Sequence, residues 1–285
     1  MTGRPPTGQV VTGRRRCAVL GSPIAHSLSP VLHRAAYAEL GLDWSYEARE
    51  VTEETLPGFL DGLDEAWRGL SLTMPLKRAV VPLLDALSER AEQAQAANTV
   101  VLEVGRRTGH NTDVPGAAAA IRERSGGPVE RALILGGGAT AASTLLALGD
   151  LGCREVTLLV RDESRAAATV ATAARHPARP AVSVRRLGAE VHDADILVCT
   201  IPASAQSAEV TALAERVPVV FDVVYDPWPT PLAGAAKRSG ATLVSGLDLL
   251  VHQAALQVEL MTGVAVPRLD DMRRAGEQAL AARGH

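Results

Sequence analysis

Two rhythms alternate along the chain almost from end to end. Short apolar runs are separated by longer stretches in which apolar residues recur every third or fourth position. The runs predict strands and the stretches helices, and their alternation predicts an α/β protein with parallel sheets. The first strand is expected at residues 17–20. A Gly/Pro turn follows, then a helix over 30–40 closed by Gly41, a strand at 45–49, a helix at 53–63 and a strand at 69–73. A helical stretch interrupted at Pro82 is expected over 77–96. Residues 100–104 open a hairpin whose turn is expected at 106–109.

Ser125-Gly126-Gly127-Pro128 reads as a joint. Beyond it six strands are expected, at 132–135, 155–160, 182–186, 196–200, 217–223 and 242–244, with helical patterns between most of them. Six such strands are what a doubly wound dinucleotide-binding domain requires. A length of 285 residues suits two domains. The chain is 47% hydrophobic and 21% charged, enough to bury a substantial core, which excludes a disordered or collagen-like polymer. A net charge of −3 offers no footprint for nucleic acid, and 3% aromatics offers no base-stacking platform. Cys17, Cys153 and Cys199 form no C-x-x-C, and the histidines have no metal-ligand spacing, so neither a disulfide framework nor a metal site is expected. No apolar stretch reaches the roughly 18–20 residues of a membrane span. Residues 1–14 read as a disordered polar tail on a cytoplasmic protein.

After the strand at 132–135 comes Gly136-Gly137-Gly138-Ala139-Thr140-Ala141, a G-x-G-x-x-A that opens a helix. Gly136 would permit the tight turn, Gly138 the close approach of a pyrophosphate, and Ala141 the packing of helix on strand. The free N–H groups of the helix N-terminus then bind phosphate. A dinucleotide site also reads the ribose, and an acidic residue ending the second strand would select NAD. Here that strand ends at Val160 and Arg161 follows, with Arg165 four residues on. A guanidinium suits a 2′-phosphate. Asp162 sits beside it and would repel that phosphate.

The first half carries further polar pieces, each with a plain structural reading. Ser27 and Ser29 form an S-x-S pair, and Ser29-Pro30 makes a good N-cap and N1 pair. The same hydroxyls beside free helix N–H groups would bind a carboxylate. Thr73-Met74-Pro75-Leu76-Lys77 places a Thr and a Lys past a strand end, where α/β sites form, and in a first helical turn whose dipole disfavours a cation. Ala97-Asn98-Thr99 precedes a strand. Asn111-Thr112-Asp113 follows the hairpin, and Asp113 reads equally as the N-cap of the helix at Val114-Pro115.

In this order, S-x-S, T-x-P-x-K, A-N-T, N-T-D and the Gly loop resemble the shikimate dehydrogenase family. Tyr225-Asp226-Pro227 with Thr230-Pro231-Leu232, and Gly246-Leu247 with Leu250-Val251-His252-Gln253, agree with it, so the likeness spans about residues 17–265. The resemblance implies a substrate domain (15–112 and 247–285), a Rossmann domain (113–246) and a C-terminal helix returning to the first. It implies NADPH-dependent reduction of 3-dehydroshikimate to shikimate, a step towards the aromatic amino acids, by a monomer or homodimer. Carried over by position, Lys77 and Asp113 would be the catalytic pair. Ser27 and Ser29 would hold the substrate carboxylate, Thr73, Asn98 and Gln253 its hydroxyls, and Tyr225 would lie between substrate and nicotinamide. Gly136, Gly137, Gly138, Ala139, Thr140, Ala141, Arg161, Arg165, Thr200 and Gly246 would contact NADP(H). The chain departs from the family pattern at Thr200-Ile201-Pro202-Ala203, at Ser245 in place of a frequent Asp, and at Asp248 in place of a Gly near the nicotinamide. Other readings stay open: a quinate/shikimate dehydrogenase using NAD, a catalytically weak dinucleotide-binding regulator, and a two-domain folate dehydrogenase that S-x-S and N-T-D disfavour.

Overall fold

The computed structural model describes residues 13–283, apart from Val104, Pro267 and the side chain of Arg165. Residues 1–12 of the expected tail lie outside the described residues, as do the last residue of the first hairpin strand, Val104, and residues 284–285. Chain order runs β1 (Arg16–Gly21), α1 (Ser29–Glu39), β2 (Ser45–Glu50), α2 (Leu56–Asp61), β3 (Trp67–Leu72), α3 (Leu76–Ala79), β4 (Ala86–Leu87), α4 (Glu89–Ala94), β5 (Thr99–Glu103), β6 (Arg106–His110) and α5 (Asp113–Arg124). These strands form one mixed sheet ordered β2-β1-β3-β5-β6-β4. Strands β1, β2 and β3 run parallel, and the β5–β6 hairpin is set antiparallel against β3.

The second half runs β7 (Arg131–Leu135), α6 (Ala139–Asp150), β8 (Glu155–Val160), α7 (Ala167–Arg175), β9 (Ala181–Arg186), β10 (Ile196–Cys199), α8 (Ala208–Ala212), β11 (Val219–Asp222), α9 (Pro231–Ser239) and β12 (Thr242–Ser245). Its sheet is parallel throughout, ordered β12-β11-β10-β7-β8-β9. Ile196, Leu197, Val198 and Cys199 are fully buried, as expected of a central strand covered on both faces. The strand order reverses between β7 and β10, the switch point at which ligands bind in such sheets, and the glycine loop follows β7 there.

Helices α10 (Gly246–Thr262) and α11 (Leu269–Arg283) return to the first sheet. Leu247, Val251, Val258 and Met272 share one buried cluster with Val19, Leu28 and Leu32. Helix α5 goes the other way: Val114, Ala117 and Ile121 pack with Ile134, Leu145 and Leu158. The helices α5 and α10 meet at Gly116, where a Cβ would press on the Gln253 backbone at 3.0 Å from its nitrogen. That glycine lets two helices rooted in different cores touch backbone to backbone.

Several local expectations change. The stretch 77–96 is not a helix broken once. It is the single turn α3, a 3₁₀ turn at Val81–Leu83, strand β4 paired with β6, and α4. Pro82 ends the first turn, and Ala86 and Leu87 find partners at Thr108 and Gly109. The hairpin turns earlier than expected, at Gly105 with φ +73°, so Arg106–His110 is itself a strand. The expected helix at 53–63 shortens to α2. All three cysteines are buried, as small apolar side chains should be.

Candidate active site

Two cap readings fail, and their failure frees the side chains for other work. Helix α5 begins at Asp113 with Thr112 at its N-cap, and the Val114 N–H donates instead to Asn111 Oδ1 at 3.2 Å. Helix α1 begins at Ser29 after Leu28, without a side-chain cap.

The Asp113 carboxylate, almost fully buried, has two uses. Its Oδ2 accepts from Lys77 Nζ at 2.6 Å and its Oδ1 from Asn98 Nδ2 at 2.8 Å. Lys77 stands on α3, a single turn, so little helix dipole opposes its charge. Asn98 Nδ2 also lies 3.2 Å from Gln253 Oε1 and 2.9 Å from Thr112 Oγ1. Four expected site residues, Lys77, Asn98, Asp113 and Gln253, therefore form one hydrogen-bonded group drawn from α3, the entry to β5, the start of α5 and the middle of α10.

Behind Asn98 runs a chain that sequence reading missed. Tyr46 donates to Ser71 Oγ (2.6 Å), and Ser71 donates to Gln257 Oε1 (2.8 Å). Gln257 Nε2 donates to Thr99 Oγ1 (3.0 Å) and to the Asn98 carbonyl (3.1 Å). Thr99 donates to Asn98 Oδ1 at 3.0 Å, and the Thr112 N–H adds a second donor at 2.8 Å. Every member is buried. With donors on its oxygen, the Asn98 amide has one orientation, NH2 towards Asp113. A signal was present: Gln257 lies four residues after Gln253, on the same face of α10.

The S-x-S segment lies at the start of α1. Ser27 Oγ accepts from the Ser29 N–H at 3.3 Å, and Ser29 is buried. Burial pushes the Tyr225 hydroxyl above its ordinary pKa, partly opposed by the Leu28 backbone and the Ser27 hydroxyl beside it. The structure thus brings Tyr225 to Ser27. Its loop is held by Asp222, whose Oδ2 accepts from Thr230 Oγ1 (2.6 Å) and Gln206 Nε2 (3.0 Å). Burial pushes the Asp222 carboxyl up, and those donors offset part of the rise. Thr73 follows β3 and packs its methyl on Gly21, where a Cβ would collide with it.

The glycine loop fits a dinucleotide diphosphate. Gly136 has φ +108°, and a Cβ there would collide with Thr200 Oγ1. That hydroxyl donates to the Leu135 carbonyl at 2.7 Å, so Thr200 supports the loop from behind. A Cβ on Gly138, the N-cap of α6, meets nothing within 4 Å, which leaves open space before the helix N–H groups of Ala139, Thr140 and Ala141. Ala141 is buried against the sheet. Thr169 on α7 donates to the Gly137 carbonyl at 2.7 Å, a tether that no motif announced. Gly246 lies so close to the Val223 carbonyl that no side chain fits. Arg161 is exposed directly after β8, and the side chain of Arg165 lies outside the described residues.

The Asp248 carboxylate is buried and fully engaged within the protein. It closes the capping box of α10 with Ser245, and Oδ1 binds Arg124 (2.7 Å) and Arg273. Among the described residues no group of three His, Cys, Asp or Glu is placed to hold a metal.

A parallel sheet with a phosphate loop at its switch point, together with a Lys–Asp pair that links α3 of the other half to the start of α5, defines a two-domain nucleotide-dependent dehydrogenase. Comparison with known proteins makes this specific. Residues 19–100 match the shikimate dehydrogenase substrate binding domain, and residues 246–275 match the shikimate 5'-dehydrogenase C-terminal domain. The chain is 33% identical over 264 residues to the shikimate dehydrogenase (NADP(+)) of Bacillus cereus, covering 90% of this chain and 95% of that one. The crystal structure of Mycobacterium tuberculosis shikimate dehydrogenase matches with a TM-score of 0.83 and 40% identity over 94% of this chain and 99% of that one. That of the Thermus thermophilus shikimate 5-dehydrogenase, in complex with NADP(H) and shikimate, matches with a TM-score of 0.80 and 35% identity over 93% and 100%. The chain belongs to the shikimate dehydrogenase family.

Proposed function

We propose that this chain is an NADP-dependent shikimate dehydrogenase, an oxidoreductase acting on a CH–OH group that interconverts 3-dehydroshikimate and shikimate on the way to the aromatic amino acids. The observation that carries the reading is the Lys77–Asp113–Asn98 group, whose helix α3 is tied through Arg78 and Thr169 to a loop that fits a dinucleotide. When bound, the nicotinamide supplies the hydride. The rest falls to the chain. Lys77 holds the proton taken by the developing alkoxide and stabilises that oxygen by its charge. Asp113 keeps the ammonium aimed, and its partner Asn98, with Gln253 and Thr73, orients the neighbouring hydroxyls. Ser27 and Ser29 hold the carboxylate at the start of α1, and Tyr225, beside Ser27, closes the site on the nicotinamide side. Gly136, Gly137, Gly138 and the first turn of α6 hold the diphosphate, with Thr200 and Gly246 shaping the wall, and Arg161 and Arg165 take the 2′-phosphate.

The domain division 15–112 with 247–285 against 113–246 is supported by the two cores, since α10 and α11 pack with the first sheet and α5 with the second. A cytoplasmic location and a monomeric or homodimeric state belong to the same reading. None of the described helices is long and apolar enough to cross a membrane. The test is shikimate oxidation followed by the absorbance of the reduced nicotinamide, with NADP and then NAD. Lys77→Ala should lower kcat by at least about 10²-fold, the lower range for a positioned acid or base, and leave NADPH binding unchanged. If the variant keeps more than about half the activity, far above that acid/base scale, Lys77 has no part in the reaction.

A further inference from the structure

The residue after Lys77 reaches the other half of the molecule. Arg78 Nη2 donates to Thr169 Oγ1 at 3.3 Å, and the hydroxyl of Thr169, a fully buried residue, in turn donates to the Gly137 carbonyl of the phosphate loop. One helical turn therefore sends Lys77 to Asp113 and Arg78 to the cofactor loop. Most other partly buried arginines have carboxylates: Arg16 has Glu47, Arg68 Glu103, Arg90 Asp150, Arg107 Asp61 and Arg273 Glu123, while Arg15 has the Glu65 carbonyl. Arg78 is half-buried, and among the described residues it has only the neutral Thr169 hydroxyl. Burial pulls its pKa down, with no anion opposing the fall. A guanidinium withdrawn from water without a counter-charge is unfavourable unless a ligand supplies one. Its neighbourhood is the positive end of α6, where Gly138 leaves room for phosphate.

We propose that Arg78 is a phosphate ligand for the cofactor, contributed by the substrate-binding half to the nucleotide-binding half. A phosphate held by Arg78 also fixes α3, and with it Lys77, so binding of the nucleotide sets the proton donor in place. The inference rests on the dehydrogenase reading above.

The experiment measures NADPH and NADH dissociation constants by nicotinamide fluorescence, without shikimate, for wild type, Arg78→Met and Arg78→Gln. Arg78→Met keeps an apolar stem without charge, and Arg78→Gln keeps a donor for Thr169. Both should raise the NADPH Kd about tenfold or more, the low end for losing a hydrogen bond to a charged group. A parallel rise for NADH identifies the diphosphate as the partner, and an unchanged NADH identifies the 2′-phosphate. Values within about twofold of wild type, well short of that scale, overturn the proposal. So does recovery of full affinity in Arg78→Gln, which would make Arg78 a neutral prop for Thr169. Arg78→Gln carries the decision if Arg78→Met does not fold. Wild type that binds neither nucleotide sinks the dehydrogenase reading itself, whereas normal wild-type binding with unaltered variants sinks Arg78 alone.

Discussion

Asp162 and Asp248 each set a carboxylate, as read in the sequence, where a nucleotide enzyme should not want one. Asp162 follows Arg161, but its Oδ1 accepts from the Ser164 N–H at 3.0 Å and the Ser164 hydroxyl at 2.7 Å, capping the 3₁₀ turn Glu163–Ala166. Donors gathered on Oδ1 offset part of the negative field that this carboxylate sends towards the end of β8. Arg161, exposed there, is the natural partner of a 2′-phosphate. Arg161→Ala should therefore weaken NADP binding by at least about 1.5 kcal/mol, the lower end for charged hydrogen bonds, and leave NAD binding little changed. Titration of both nucleotides checks this, and equal use of the two by wild type would reverse the assignment. Asp248 was legible as a departure from the family pattern, but its destination was not. Its partners Arg124 and Arg273 are 124 and 25 residues away in sequence.

At the scale of elements, the site is set by helix α10 crossing the end of β5. The face of α10 that carries Gln253 and Gln257 meets Asn98 and Thr99, and Gly116 allows the approach. Thr99→Val removes one of the donors to Asn98 Oδ1 and leaves Gln257 Nε2 without the Thr99 acceptor, so the amide that faces Asp113 is held by Thr112 alone and less tightly aimed. We expect kcat to fall by about tenfold or more, within the loss of up to about 10²-fold that misplacement of a reacting group brings. NADPH affinity should stay constant, and Thr99→Ser should restore most of the rate. A Thr99→Val enzyme as fast as wild type would show that Asn98 needs no such support. Helix α10 was readable as a motif, Leu250-Val251-His252-Gln253, whereas its role as the beam behind Asn98 depends on pairings across some 155 residues. The second sheet was legible because parallel, doubly covered strands are continuous apolar runs. The region 77–96 was not, because β4 is two residues long and exists only through β6. Tyr46, Ser71 and Gln257 escaped for a related reason: a polar residue in a buried position looks like any other polar residue until its partners arrive.

At the scale of the whole molecule, one charge cluster joins the helices of both cores. Asp248 and His252 on α10, Glu123 and Arg124 on α5, and Arg273 on α11 form a continuous set: Arg124 and Arg273 bind Asp248, and Arg273 and His252 bind Glu123. The Asp248 side chain is only 2% exposed. Burial alone would raise its pKa, but the Arg124 hydrogen bond and the Ser245 donors outweigh it and hold the carboxyl below its ordinary value. Burial likewise works to raise Glu123, and His252 and Arg273 bring it down. A carboxyl whose pKa is depressed by folding stabilises the fold fully above its unfolded value, near 4, and the contribution is lost as pH falls through the folded value. The cluster should therefore hold α5 to α10 and α11 at neutral pH and release them in acid. Asp248→Ala removes the buried carboxylate shared by Arg124 and Arg273 and leaves Arg273 with Glu123 alone, at a cost of up to roughly 3–5 kcal/mol, the scale for breaking a buried pair. Asp248→Asn keeps an acceptor for the Ser245 N–H and should lose less. Urea unfolding of the three proteins between neutral pH and about pH 3, a span that brackets the ordinary carboxyl pKa, checks both claims. Wild type should lose stability more steeply below about pH 4 than Asp248→Asn, because the variant has one titrating carboxyl fewer. Parallel acid limbs, or an Asp248→Ala protein as stable as wild type, would show that the two cores are held together by apolar packing alone.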